Sequence, residues 1–561
     1  AERVELTLNG IWQVARYDDP NMDAAPYEPV RTLPNATEYP LRWMGVAVPS
    51  NAWNKAELHF GHRLVYRTRV AVPASMRGHS FVLRFFGTNW IVSVFLNGKL
   101  MGTHKGVLIP WDLDVTSGVL PGQTNEIAIA VKSPWYAFDT EALKSTLEQE
   151  RNRPNDSERL RWARWVAPIY PSTKGEGDGT AYGLVNPVKL VAAGPVYVAD
   201  AFVRTSVARK RLDAEVTLAN PGPTSRTVTL ECTAIHTRSG KAEQSFPPVT
   251  VTVPAGSSKR VLVGGAWVNP KLWWPVENPD LYALRSTVRQ QGQPLDVHHQ
   301  RFGFREITLD GPRFRLNGVI RNFWNWVEVS GNPATPQEFL AAFRSEGNRF
   351  YRFAHDSILR RWFPYRYLQL DFCDRNGIPG RLSTCIDGMF INYNLRNPKV
   401  WENFAEHLEQ MARAWRNHPS ILFYSVENEL LYINGQNVFG RAHRHDRTIG
   451  HSNRTGVEES ARAVHRGNRA SRQHNLCLGH AHLLLAAPTA CRHLSRPATV
   501  YGTPPAPTSR VSRSRASPPA AGTTWACCSR ASVTPLPRSS VRATPSRPST
   551  PRGTAAWRAR H

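Results

Sequence analysis

Two carboxylates stand two positions apart in NHPSILFYSVENEL, residues 417–430: Glu427 and Glu429. A carboxyl at the end of an apolar run suits general acid–base work, since it can protonate a leaving group and later take a proton from water. The residues before this stretch read as an amphipathic helix ending at RNHPS. An apolar strand follows and delivers Asn428 and Glu429 at its C-terminal end. In a (β/α) barrel that end is the catalytic face. Alternation along an extended strand puts Glu427 and Glu429 on the same side, so periodicity does not choose between them. The bland reading of either is a solvated or ion-paired loop residue.

The elements that would position such a carboxylate are legible upstream. TPQEFLAAFRSEG (335–347) predicts a helix with Thr335 as N-cap, Pro336 at the first helical position, Glu338 three residues after the cap and Gly347 as the stop. A second helix follows Asn397-Pro398, where Val400, Phe404, Leu408, Met411 and Trp415 recur at helical spacing and read as core. Strand-like runs lie at RNFWNWVE (321–328), RFYRFA (349–354) and ILFYSV (421–426). Strand and helix in alternation argue for a parallel sheet, with a (β/α) barrel as the leading form.

Before Phe304 the pattern is strands alone. LVYRTRVAV (64–72), FVLRFFG (81–87) and WIVSVFLNG (90–98) are short β-rich runs separated by Pro, Gly and Asn, which favours a β-sandwich. Near Val196 a second block begins. There Leu212, Ala214, Val216 and Leu218 alternate with Asp213, Glu215 and Thr217, and Val228, Leu230 and Cys232 repeat the period, as in a small immunoglobulin-like sandwich.

The formal charge of +26 would by itself suggest an anionic partner, but residues 441–561 hold 20 Arg, no Lys and three acids. That stretch carries +17 and leaves +9 for residues 1–440. Rich in Arg, Pro, Ser, Ala and Thr, it is predicted to be disordered. Its composition is also what a GC-rich gene gives when read out of frame. Any nucleic-acid binding by it would be nonspecific phosphate neutralisation. The seven cysteines form neither a disulfide framework nor a zinc pattern. No apolar run reaches the ~20 residues of a membrane span, and no cofactor is identified. The chain opens AERVELTLNG, which predicts a processed or trimmed product and leaves the compartment undecided.

RNHPSILFYSVENEL resembles the acid/base signature of glycoside hydrolase family 2, the retaining family of β-galactosidases, β-glucuronidases and β-mannosidases. The resemblance implies that Glu429 is the general acid/base and Asn428 the neighbour that hydrogen-bonds the sugar 2-hydroxyl, with Glu427 in the spacer and Tyr424 where the family has Trp. GTNWIVSVFLNGKLMGTHKGVLIPWDLDVT (87–116) is similar to the family's sugar-binding sandwich. LWWPVENPDLYAL (272–284) and RFGFREITLDGPRFRLNG (301–318) are similar to its passage into the barrel. FWNWVE around Asn325 and Trp326 resembles the Asn-Trp of the mannosidase-like branch. GNRFYRFAH resembles the Gly-Asn-x-x-Arg segment with one extra residue before Arg, making Arg352 and His355 substrate-contact candidates.

The expected architecture is therefore multidomain, β plus α/β. It comprises a jelly-roll sandwich (1–195), an immunoglobulin-like sandwich (196–303), the N-terminal half of a (β/α)8 TIM barrel (304–439) and a low-complexity tail (440–561). The expected partner is a carbohydrate, with no specific nucleic acid and no membrane, and the motifs leave a divalent-metal requirement open. The implied reaction is a double displacement by two carboxyl groups ~5–5.5 Å apart. The family's nucleophile is a Glu three βα units after the acid/base, on the order of a hundred residues downstream. No Asp or Glu follows Glu459. Glu458 and Glu459, in the helical-looking TGVEESARA, lie too close to Glu429, so the nucleophile is expected to be absent from this chain. Half a barrel would expose strand edges, and poor solubility or homo-oligomerisation is expected.

Overall fold

The computed structural model describes residues 3–17, 28–34, 41–52, 55–58, 62–133, 182–324, 329, 333–353, 365–383, 398–425, 476–479 and 482–486. All of them lie in one compact unit, Ala1–Pro497; a second unit, Ala498–His561, falls outside the described residues.

The N-terminal block is built from two antiparallel sheets. One has four strands, in the order Val4–Thr7, Val188–Ala193, Ser80–Phe85 and Trp111–Asp114. The other has six, in the order Met44–Val48, Gly10–Arg16, Arg63–Ala71, Thr124–Lys132, Asn89–Leu96 and Lys99–Val107. Phe81, Leu83 and Phe85 from the first and Ile127, Ile129 and Val131 from the second enter one apolar core, as period-two alternation requires. Every residue of Asn89–Leu96 is buried: Trp90, Ile91, Val92, Val94 and Leu96 lie in the main core, and Phe95 packs separately with Tyr17, Val65, Ala128 and Ala130.

The next block holds a three-stranded sheet (Tyr197–Ser206, Arg211–Asn220, Ser257–Ala266) and a four-stranded sheet (Ala242–Val253, Arg226–His236, Tyr282–Gln290, Gln293–Phe302), both antiparallel. Leu212, Ala214, Val216 and Leu218 share a buried cluster with Val228, Leu230 and Cys232, so both alternating runs face one core. A small antiparallel sheet, Ile307–Asp310, Arg313–Leu316 and Val319–Arg321, follows.

Three helices then alternate with parallel strands. Helix α1 (Pro336–Ser345) precedes β1 (Tyr351–Phe353), α2 (Arg366–Asn376) precedes β2 (Gly380–Ser383), and α3 (Pro398–Trp415) precedes β3 (Ile421–Ser425). The three strands pair in parallel in that order. Helix α1 starts as its sequence predicts: Thr335 Oγ1 accepts from the Glu338 amide at 3.2 Å, and Glu338 Oε2 accepts from the Ala334 amide at 2.8 Å. In α3, Val400, Phe404, Leu408, Met411 and Trp415 are all buried, at ~1.5–3 kcal/mol for each such side chain removed from water.

Sequence periodicity misses α2. Its buried positions include Arg366, Gln369 and Asp374, so its inward face is not an apolar stripe. Gly377 ends the helix at φ 65°, where an added Cβ would stand 2.5 Å from the Val276 amide nitrogen. Of the strand expected at 321–328, Arg321 ends Val319–Arg321, residues 322–324 are not strand, and 325–328 lie outside the described residues.

The tail departs from expectation at one place. Two strands, β4 (Leu476–Gly479) and β5 (His482–Ala486), form an antiparallel pair, and β5 pairs antiparallel with β3 through Phe423–Ala486, Tyr424–Leu485 and Ser425–Leu484. Disorder is therefore corrected for these strands; the rest of 440–561 lies outside the described residues. The physical reason is twofold: LCLG and HLLLA are apolar islands in the Arg-rich tail, and an unpaired strand edge is a ready template for another strand. The β3 edge expected to be exposed is thus satisfied by the chain itself.

Candidate active site

Alternation sorts the residues of β1–β3 onto two faces. Tyr351, Phe353, Leu382 and Tyr424 belong to the same core as the helix residues Phe339, Leu370 and Phe404. On the other side, Phe350 and Phe423 stand 5.8 Å apart between ring centroids and pack with Phe314 and Phe323. This aromatic cluster covers that face of the sheet near the start of its strands. Toward the C-terminal ends, Arg352 lies in register with Arg381, and Ser383 with Ser425. Arg381 Nη1 lies 3.4 Å from Ser425 Oγ. Ser383 is buried, and its Oγ has no hydrogen-bond partner among the described residues. Two guanidinium groups and two hydroxyls therefore line the end of the sheet from which the chain runs on toward Asn428 and Glu429. Such groups are hydrogen-bond donors suited to the oxygens of a sugar ring.

The start of β3 is held with unusual thoroughness, and the NHPS residues supply the bonds. Asn417 bridges to the strand Tyr197–Ser206: its Oδ1 accepts from the Val203 amide at 2.9 Å and its Nδ2 donates to the Ala201 carbonyl at 2.8 Å. Arg305, buried at the exit of the second sandwich block, donates through Nε to the Pro419 carbonyl at 2.7 Å and through Nη2 to the Ile421 carbonyl at 2.6 Å. Burial pulls its pKa down to about 10, opposed by the Tyr424 hydroxyl and the Asp374 carboxylate, so it stays charged at neutral pH. Gly303 leaves room for the crossing: a Cβ there would lie 2.7 Å from Pro419 Cβ.

Asp374 of α2 completes the clamp. Its Oδ2 accepts a hydrogen bond from His418 Nδ1 at 2.7 Å, and its Oδ1 accepts from the Ser420 hydroxyl at 2.6 Å and the Ser420 amide at 3.1 Å. Burial pushes its carboxyl up, but His418, Arg301 and Ser420 outweigh burial and hold it below the usual range. Asp371, Asp374 and His418 bring possible metal-ligand atoms within 4.8 Å of one another. Arg301 pairs with both Asp371 and Asp374, and the remaining lone pairs of Asp374 go to Ser420, so the group is a satisfied ion-pair network.

Of the residues singled out from sequence, Arg352 is described and sits half-buried on β1, on the face opposite Tyr351 and Phe353. Glu429, Asn428, Glu427, His355, Asn325 and Trp326 lie outside the described residues, as do Glu458 and Glu459. Trp90 is buried in the sandwich, and Trp111 is stacked between Phe85 at 4.2 Å and His104 at 4.3 Å. Both are packing residues. Sequence reasoning missed Arg381, whose one available signal is a charged residue inside the short run GRLS, and it missed Arg305 and Asp374 as holders of β3.

Comparison with known proteins fits this arrangement. A family described as glycosyl hydrolases family 2 matches residues 196–305, and one described as glycosyl hydrolase 2 galactose-binding domain-like matches residues 43–165. A β-glucuronidase of Paenibacillus borealis is 23% identical over 382 residues, covering 65% of this chain and 58% of the relative. A β-galactosidase of Alteromonas mediterranea is 23% identical over 471 residues, covering 76% and 40%. The crystal structure of a Bacteroides uniformis β-glucuronidase superposes with a TM-score of 0.60 at 18% identity, covering 83% of this chain and 52% of that one. The chain thus spans about half the length of the relatives it matches. Two domain models of glycosyl hydrolase family 2, matched in sequence order, thus make this chain similar to members of that family.

Proposed function

We propose that this chain carries the acid/base half of a retaining β-glycosidase. Glu429 is the general acid/base, Asn428 holds the sugar 2-hydroxyl, and Arg352, His355, Asn325 and Trp326 contact the substrate. The observation that carries the reading is the immobilised start of β3, where Arg305, Asn417 and Asp374 fix the strand that leads, four residues past Ser425, to Glu429. Proton transfer demands a carboxyl held within hydrogen-bond reach of the glycosidic oxygen, and a strand anchored at its base supports that reading. In this reading residues 196–303 form an immunoglobulin-like sandwich, and β1–β3 with their helices are the first part of a TIM barrel. The parallel α–β alternation supports the barrel assignment.

In the double displacement one carboxylate attacks the anomeric carbon while Glu429 gives its proton to the departing oxygen. Glu429 then deprotonates water, which releases the glycosyl group from the nucleophile. The sequence contains no acid after Glu459, and that observation supports a second reading, a carbohydrate-binding relative without turnover. Turnover of aryl β-galactosides and β-glucuronides, set beside saturable binding of the same glycosides, separates the two. Turnover that falls about 10²–10⁴-fold in Glu429→Gln supports the enzyme. Binding without turnover supports the alternative.

A further inference from the structure

A second polar cleft lies away from the barrel strands, between the N-terminal sandwich and the block that follows it. It encloses ≈ 350 Å³ and is lined by Arg3, Glu5, Arg84, Val297, His298 and His299. That volume sits at the lower end of the range for small-molecule sites. Arg3 spends Nε and Nη2 on Asp296, both at 2.8 Å, which leaves Nη1 outside those bonds. Arg84 likewise chelates Asp112 through Nε at 3.0 Å and Nη2 at 2.8 Å, and its Nη1 stands 3.9 Å from Glu5 Oε1, beyond hydrogen-bond length. Lys189 donates to Glu5 Oε2 at 2.8 Å. The Nδ1 of His298 is buried and has no hydrogen-bond partner among the described residues.

A buried polar atom without a partner is costly, and beside a lined cleft it points to a ligand that supplies the bond. Burial, with repulsion from Arg3, Arg84 and His299 added to it, pulls the His298 imidazole down to about 3, so the ring is neutral. The groups left over are the Nη1 edges of two guanidiniums, one imidazole nitrogen and one carboxylate oxygen. We propose that this cleft binds an acidic sugar, whose oxyanion bridges Arg3 Nη1, Arg84 Nη1 and His298 Nδ1 while a neighbouring hydroxyl donates to Glu5. An inorganic oxyanion would use the same donors but not Glu5, and a neutral sugar would use Glu5 but not the cationic edges. The site is independent of the Glu429 reading.

Isothermal titration of the full chain with methyl β-D-glucuronide, methyl β-D-glucoside and inorganic sulfate tests the proposal. The expected result is saturable glucuronide binding at least tenfold tighter than glucoside, weakened at least tenfold in His298→Ala. Glu5→Gln, a surface change that keeps the fold, weakens the glucuronide several-fold and leaves sulfate unchanged. No saturable glucuronide binding, equal binding of glucoside, or sulfate binding as tightly as glucuronide would overturn the acidic-sugar assignment. Glucuronide binding unchanged by both substitutions would place any binding elsewhere, including the barrel, and would equally overturn it.

Discussion

The Arg305 guanidinium, at the exit of the second sandwich block, donates to the Pro419 carbonyl at 2.7 Å and so ties that block to the segment leading into β3. A guanidinium can satisfy several carbonyls at once because its donors lie in one rigid plane. Replacing it with Met should destabilise the chain by ~3 kcal/mol, since the backbone carbonyls of residues 419 and 421 lose a charged donor in a buried place. Arg305→Lys should recover less than half of that loss. Chemical denaturation followed by tryptophan fluorescence reads both, and a wild-type midpoint for Arg305→Met would contradict the clamp.

Asp374 should make the same region acid-labile. Its folded pKa lies below the unfolded value near 3.8, so its contribution is fully present above that value and is lost as pH falls through the folded pKa. Asp374→Asn keeps one oxygen for the two Ser420 bonds but puts an NH2 donor and no charge against His418 and Arg301, and should cost on the order of 3 kcal/mol at pH 7. The variant's remaining stability should depend less on pH below about 4 than that of the wild type. Parallel acid titration curves for the two proteins would refute this.

Two histidines act at higher pH. His104, stacked on Trp111, and His298 are each held neutral, with pKa values lowered to about 3 by burial and then by neighbouring His407 or by Arg3, Arg84 and His299. The unfolded chain binds protons near pH 6.5 and the folded chain resists until about 3, so stability should fall as pH drops between those values. At pH 5 each contributes a loss on the order of 2 kcal/mol. His104→Phe keeps a ring on Trp111 and removes an Nε2 that has no partner among the described residues. Its unfolding midpoint should therefore move less between pH 7 and pH 5 than that of the parent chain.

Tyr424 is buried, and its hydroxyl finds no partner among the described residues. Tyr424→Phe should change stability by no more than ~1 kcal/mol, in the stabilising direction, because it deletes an unsatisfied polar atom and keeps the ring. A loss of several kcal/mol would show that the hydroxyl is bonded.

What the sequence made legible were features with a local cause. The capping residues of α1, the stripe of α3 and the alternation of Leu212 to Leu218 announce their elements because neighbouring residues carry the whole signal. Helix α2 was illegible because Asp374 and Arg366 face inward, and their partners come from segments far away in the chain. The clamp was hidden for the same reason: NHPS reads as a motif, but its partners Val203, Arg305 and Asp374 emerge only when three regions meet. The β4–β5 pair was missed because an Arg-rich composition, averaged over the tail, masks two short apolar islands.

The central claim, that Glu429 is an acid/base serving a glycosyl transfer, is tested most directly by anion rescue. Formate can stand in for a missing nucleophilic carboxylate, so initial rates on an aryl β-glycoside with a poor leaving group are measured with and without formate, in the wild-type chain and in Glu429→Gln. The account predicts turnover that formate accelerates in the wild type and that falls about 10²–10⁴-fold in the variant. Equal rates in the two proteins, or no turnover under either condition, would contradict it.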